Sequence, residues 1–404
     1  MNYRIKGLDG MRAIACLLVL AHHTLPRLPT SETLLSKLVQ SFGEFGQAGV
    51  SIFFVLSGYL LSIPFWRSLF YSTKRPSYTE FIKRRLARIA PGYYLVLTVT
   101  TFYALSSSIS VFDSQLIVRF TSAFLFLNSF HPVTLFPADI NGALWSIGFE
   151  VLCYAMLLVS MMILFHFFPS LKYSAALCFI LVVGLLSIFF HLIWVSIVGI
   201  PTRFIGWDYG IIGYARSWMP YTNPFSLFNH FVIGIIFGSL HIYAHAKWKQ
   251  HGKFDIYLIL GTILSLFAGI VMIFTIDDSF SGVFHSLYFW PVFPSLIGLW
   301  LAILPLTTHL FRVFDFAPLR FIAKISFGIY IWHMLVIEWV TVWLFPSFTF
   351  NGGMPLVDWF IAMIVTITFT IGIATLSWYR VEKPCLDWFS GRPRNKIIGL
   401  LARE

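Results

Sequence analysis

Charge is what this 404-residue chain has least of: Asp, Glu, Lys and Arg make up 11% of it, against 58% hydrophobic residues. A soluble domain of that length could not cover its surface with so few charges, so a water-soluble globule is excluded. Cysteine is scarce as well. Cys16, Cys153, Cys178 and Cys385 are scattered, with no CxxC, and offer neither a disulfide framework nor a metal site. His241 and His245 are i,i+4 but lack supporting carboxylates, so no metal is expected. Internal repeats and Gly/Ser- or Pro-rich linkers are also missing, which makes one domain the economical organisation. The first apolar run has no small-x-small cleavage site and is expected to stay in the mature chain.

Long apolar runs are abundant instead, many of them about 20 residues, the length that crosses a bilayer as a helix. The short alternating segments of a membrane β-barrel are absent. The fold expected is an all-α polytopic membrane protein with about ten spans. They lie near 10–28, 48–66, 86–106, 143–168, 174–198, 226–245, 255–276, 287–308, 320–344 and 357–379.

The stretch 116–130 is shorter and contains Arg119 and Asn128. Basic residues decide its fate, because cytoplasmic loops are enriched in them. If 116–130 does not cross, both termini lie inside and 23 of the 28 basic residues fall on the inner side. If it crosses, the count becomes 12 inside against 16 outside. The segment is therefore expected to be re-entrant or interfacial. The same distribution explains the net charge of +11 as a topology signal, and no nucleic-acid partner is expected.

Against this apolar background a few polar residues stand out. Arg12 and His23 are eleven steps apart at ~100° each, so they share one face of the first span, at depths that differ by roughly 16 Å. A full charge in a span costs about 3 kcal/mol, and such residues usually face a cavity. Arg85 and Arg88 are i,i+3 neighbours at the start of the third span, where a guanidinium pair suits either phosphate recognition or an ordinary orientation signal. Glu150 lies about two turns into the fourth span, with Tyr154 one turn further on the same face. Ser326, Tyr330 and His333, at spacing 0, 4 and 7, form a polar stripe on the ninth span.

Taken together, six segments in order resemble the acyltransferase-3 family of integral membrane acyltransferases. They are Leu8-Asp9-Gly10-Met11-Arg12 leading to His23; Phe53 to Leu60; and Phe81-x-x-x-Arg85-x-x-Arg88 with Pro91 and Tyr94. Then come Leu144-Trp145-Ser146-x-x-x-Glu150, Ser326-Phe327-Gly328-Ile329-Tyr330-x-x-His333, and Val381-Glu382-Lys383-Pro384. The sequence departs from the family at Val151, where a second acid often follows the glutamate, and at Phe327, where a tyrosine often follows the serine.

The resemblance implies a transmembrane domain over 1–384 with a short cytoplasmic tail, 385–404. It implies an O-acyltransferase that moves an acyl group, commonly acetyl, from cytoplasmic acetyl-CoA to a hydroxyl of an extracytoplasmic acceptor. The acceptor would be a glycan or glycolipid, such as a surface polysaccharide or lipopolysaccharide, at a bacterial inner membrane. The family's Arg-x10-His motif maps to Arg12 and His23, and its basic pair to Arg85 and Arg88.

On that basis His23 is the expected general base, with Glu150 orienting it and Arg12, Arg85 and Arg88 gripping the CoA phosphates. Trp145, Ser326, Tyr330 and His333 are candidates for supporting the site or meeting the acceptor. Aromatic and charged residues of the 199–225 loop either contribute to acceptor choice or form a structural lid. Membrane lipids, a homo-oligomeric copy or glycan-assembly proteins are the other partners expected. The rival class is a transporter of a small solute or acylated product, since buried ionisable residues also line permeation paths.

Overall fold

In lipid every backbone N–H and C=O must be satisfied within the protein, and helices do this within one segment. The computed structural model describes residues 5–28, 34–168, 172–199, 203–248, 252–275, 282–349 and 354–389, and the tail beyond Phe389 lies outside them. Its regular elements are helices: α1 (Leu8–Thr24), α2 (Leu34–Phe45), α3 (Gly49–Phe70), α4 (Tyr78–Ser106), α5 (Ser114–Phe124), α6 (Pro132–Leu135), α7 (Trp145–Phe167) and α8 (Tyr173–Val198). There follow α9 (Gly210–Trp218), α10 (Pro224–Lys247), α11 (Gly252–Thr275), α12 (Val292–Ile303), α13 (Leu310–Phe314), α14 (Ala317–Trp343), α15 (Leu356–Ser377) and α16 (Lys383–Phe389).

Among the described residues, eight helical stretches are long and apolar enough to cross a membrane, built on α1, α3, α4, α7, α8, α10, α14 and α15. They meet eight of the ten expected spans, and the protein is an integral multi-pass membrane protein. Over the expected span 255–276, α11 runs to Thr275, with side chains described through Ile263. Over 287–308, α12 and the 3-10 turn after it form a shorter apolar helix, Val292–Leu306.

Burial separates the middle of the bundle from its rim. The apolar stretch of α10 is 78% buried, whereas that of α8, with the higher mean hydropathy of 2.7, is 22% buried and turns Leu185 and Phe189 outward. Apolar side chains facing out are what a lipid environment allows. At the centre α3 and α10 cross closely. A Cβ on Gly58 would come 2.0 Å from the Phe231 carbonyl oxygen, and one on Gly234 2.0 Å from that of Val55. Small residues let the two backbones meet, as in other membrane helix pairs. Next to this pair, α1 packs between α3 and α14, while α14 packs on α15 and α4.

The 116–130 segment does not form a span. Its helix, α5, has 11 residues, and Asp113 caps it by accepting from Leu116 N–H at 2.8 Å. Arg119 is buried and pairs with Asp139 at 2.7 Å, and its Nε–H donates to the Phe136 carbonyl. Asn128, fully buried, donates to the carbonyls of Leu135 and Trp145, both at 3.2 Å. Protein groups thus satisfy part of the polar surface of this stretch, while Arg119 Nη2, Asn128 Oδ1 and Ser129 Oγ are buried without a hydrogen-bond partner.

Candidate functional site

The site begins with a cavity of about 1710 Å³ that opens among the N-terminal half of α4 and the C-terminal half of α3. Its walls carry Arg12, Arg67, Arg84, Arg85 and Arg88, with Lys74 and Lys324, against the acids Glu80 and Glu150. Such a cation excess makes it an anion-binding cavity by charge. Ser57, Ser146, Ser326 and Tyr330 also line it. His23 is not in the lining, although Arg12 on the same helix is.

Each arginine is held differently. Arg12 stands 4.0 Å from Asp9, one turn back on α1. Arg88 is fastened: its Nη1 lies 3.5 Å from Glu382 Oε2, and its guanidinium lies 4.7 Å over the Trp378 ring and 5.8 Å from that of Phe327. Glu382 is 1% exposed, accepts from Ser377 Oγ at 3.2 Å, and closes a π-helical turn, Trp378–Glu382, at the end of α15. Arg85, half-buried, makes no ion pair among the described residues and lines the same cavity as Glu150 and Tyr154. Of the Arg85 and Arg88 pair, Arg85 is therefore the one whose fork is open to an incoming anion.

Glu150 lies in this cavity, with its carboxylate accepting from the Tyr154 hydroxyl and, at 3.5 Å, from Ser57 Oγ. Its face-sharing neighbour Tyr154 is thus its partner. No hydrogen bond joins Glu150 to His23 among the described residues, so the carboxylate does not orient the imidazole. Its place is with the arginines.

The polar stripe of α14 leads away from the cavity. Ser326 Oγ donates to the Ala323 carbonyl in its own helix, and its carbonyl faces Cys16 Sγ at 3.4 Å. One turn on, the Tyr330 hydroxyl meets Ser146 Oγ at 2.6 Å, which joins α14 to α7. Trp145 beside it packs at 5.5 Å from the rings of both Phe149 and Trp218, the latter on α9 in the 199–225 loop. The next stripe residue, His333, is 1% exposed; its Nδ1 lies 2.7 Å from the Tyr330 carbonyl oxygen and its Nε2 lies 3.3 Å from His23 Nδ1. His23 Nδ1 is also 3.0 Å from the Val19 carbonyl oxygen. Arg27, buried one turn further along the chain, donates to the His23 carbonyl and to that of Phe348.

The structure therefore brings Arg12, Arg85, Arg88 and Glu150 together at the cavity, and His23 and His333 together beyond it, with Tyr330 and Ser146 between. Sequence reasoning missed Glu382 as the partner of Arg88, although the Val381-Glu382-Lys383-Pro384 match was its signal. It also missed the His23–His333 pairing, because a stripe shows that a partner exists without naming it. Among the described residues no three His, Cys, Asp or Glu side chains gather as a metal-binding group.

Comparison with known proteins agrees with this architecture. Residues 5–375 match the acyltransferase-3 domain family. The peptidoglycan O-acetyltransferase OatA of Listeria monocytogenes is 25% identical over 352 residues, covering 83% of this chain and 50% of that protein. The O-acetyltransferase OatA of Staphylococcus aureus is 24% identical over 395 residues, covering 94% of this chain and 57% of that protein. The chain thus spans about half the length of the curated relatives it matches. No solved structure matches it. With the six motifs in order and the family match running over nearly the whole described bundle, the chain belongs to the acyltransferase-3 family.

Proposed function

We propose that this protein is a membrane-embedded O-acyltransferase that moves an acyl group, acetyl in the simplest case, from acyl-CoA to a hydroxyl of a glycan or glycolipid. The observation that carries the reading is the division of α1. Its Arg12 faces a cation-lined cavity, and its His23 faces a second imidazole one helical turn beyond that cavity's Tyr330 wall. The charge count puts the Arg12 end in the cytoplasm, where acyl-CoA is made, and the acceptor on the other side. A bacterial cytoplasmic membrane is the setting this implies. Peptidoglycan, named for the Listeria relative, is the first acceptor to try.

Arg85 and Arg12 would hold the phosphates of CoA, whose polyanionic head suits forked guanidinium donors. A thioester already has a good leaving group, so the acceptor hydroxyl is the poor reactant. His23 takes the proton of that hydroxyl as its oxygen attacks the thioester carbonyl. The carbon–sulfur bond then breaks, and the CoA thiolate leaves with the proton that His23 returns. Glu150 acts at the cavity, where it balances the arginines and orders Tyr154 and Ser57.

The test is acyl transfer by purified protein in proteoliposomes, with radiolabelled acetyl-CoA on one side and glycan strands on the other. Labelled glycan and free CoA in equal amounts are expected, and both should form about 10²–10⁴-fold more slowly with His23→Ala. Solute uptake without CoA release would instead mark a transporter.

A further inference from the structure

Three imidazoles meet near the C-terminal end of α1, and their carbonyl partners fix which ring nitrogens carry protons. A carbonyl oxygen only accepts, so a ring nitrogen within hydrogen-bond distance of one is the protonated nitrogen of a neutral imidazole. His333 Nδ1 lies 2.7 Å from the Tyr330 carbonyl and 3.2 Å from that of Ile329, so it carries the proton. Its Nε2 is then a bare acceptor, 3.3 Å from His23 Nδ1. His23 Nδ1 meets two acceptors, that lone pair and the Val19 carbonyl at 3.0 Å, and must carry its own proton. His22 stays apart from this chain of bonds: its Nδ1 donates to the Gly43 carbonyl at 3.0 Å, and its ring stands edge-on to His23 at 4.7 Å.

We infer that His333 is a positioning residue: with the Val19 carbonyl it holds the His23 ring, in the tautomer whose Nε2 is bare, so that Nε2 is the nitrogen that takes the acceptor proton. This rests on the acyltransferase reading for its consequence, though the tautomer itself does not. A carboxylate in the place of His333 would do the same work by accepting from Nδ1–H. An imidazole does it without bringing a second charge into the membrane, and its own tautomer is fixed by α14 backbone. The proton goes onto His23 Nε2 while Nδ1–H stays bonded to His333, so the imidazolium that forms keeps both contacts.

The test pairs spectroscopy with kinetics on the full-length protein in lipid. With ring-labelled histidine and single-site assignment, 15N resonances distinguish bare from protonated ring nitrogens; His23 is expected to show a bare Nε2 and a protonated Nδ1. A protonated Nε2 on His23 in the wild type overturns the proposal, whatever the enzyme does.

Three substitutions read the consequence. His333→Gln puts an amide oxygen near the former Nε2 and is expected to keep the ring in place, with kcat within tenfold of wild type. His333→Asn ends near the former Nδ1 and cannot reach His23; His333→Ala offers nothing. Both leave the Val19 carbonyl to hold Nδ1–H, so the bare Nε2 should persist, but the ring is freed to turn and kcat should fall on the order of 10²–10⁴-fold with the KM for acyl-CoA unchanged, the range lost with a misoriented base. Unchanged kcat in His333→Asn would also overturn it. Locked tautomers in a wild-type protein that transfers no acyl group would leave the imidazole lock standing and sink the acyltransferase reading.

Discussion

The two ends of α1 solve the problem of polarity inside a membrane in opposite ways. At one end Arg12 stands in a wide cavity among other cations, where charge is concentrated and open to solvent. At the other, His23 is half-buried and its Nδ1 is engaged by a carbonyl and another ring. The first arrangement attracts an anion from a distance and holds it loosely by geometry. The second holds one small group in one protonation pattern. An enzyme that carries a polyanionic donor to a neutral acceptor needs both.

That contrast predicts a split in kinetics. His23→Ala should lower kcat by about 10²–10⁴-fold while CoA still binds, measured by acyl transfer and by direct CoA binding to the purified protein. Loss of CoA binding in that variant would merge the two ends into one site. The comparison also shows where sequence was readable. Periodicity was enough to put Arg12 and His23 on one face, and hydropathy enough to place the long spans, because both depend on neighbours along one helix. Which residue meets His23 depends on how α14 packs against α1, 310 positions away, and nothing local encodes that. Glu150 illustrates the same limit. Its neighbour Tyr154, one turn away, was legible, but its distance from His23 was not, since that is set by where α7 and α1 stand in the bundle.

The cavity end can be broken through the pair that braces it. Arg88→Ala would leave the Glu382 carboxylate buried without its cation, costing on the order of 3 kcal/mol of stability. Glu382→Gln keeps the shape and the Ser377 contact and should cost about 1 kcal/mol. The double variant should therefore be more stable than Arg88→Ala alone, as read by thermal unfolding in detergent. Equal losses in both single variants would mean that the pair contributes through packing on Trp378 rather than through charge.

Arg85 sharpens the donor side without that structural burden, because its fork has no fixed ion-pair partner among the described residues. Arg85→Ala should raise the KM for acyl-CoA about 10–100-fold, the worth of one or two charge-assisted hydrogen bonds, and barely change kcat at saturating donor. Added salt should narrow the gap between wild type and variant, since screening weakens the same attraction. A fall in kcat at unchanged KM would move Arg85 out of donor binding and into the chemistry.

The smallest effect is expected at the wall between the two ends. Ser146 and Tyr330 hold each other at 2.6 Å across α7 and α14, and the Tyr330 carbonyl in turn accepts from His333. Ser146→Ala leaves a phenol without its partner, but that phenol lines the cavity, where water can replace the lost bond, so about 1 kcal/mol of stability is at stake. Tyr330→Phe should cost less, because a helical serine hydroxyl can turn back to a carbonyl of its own helix. Neither change removes the Tyr330 carbonyl that fixes His333, so kcat should fall less than tenfold in both, with the His23 tautomer intact. If Ser146→Ala instead lowers kcat as far as His23→Ala, the phenol belongs to the reacting end, and the boundary lies one helical turn nearer the arginines.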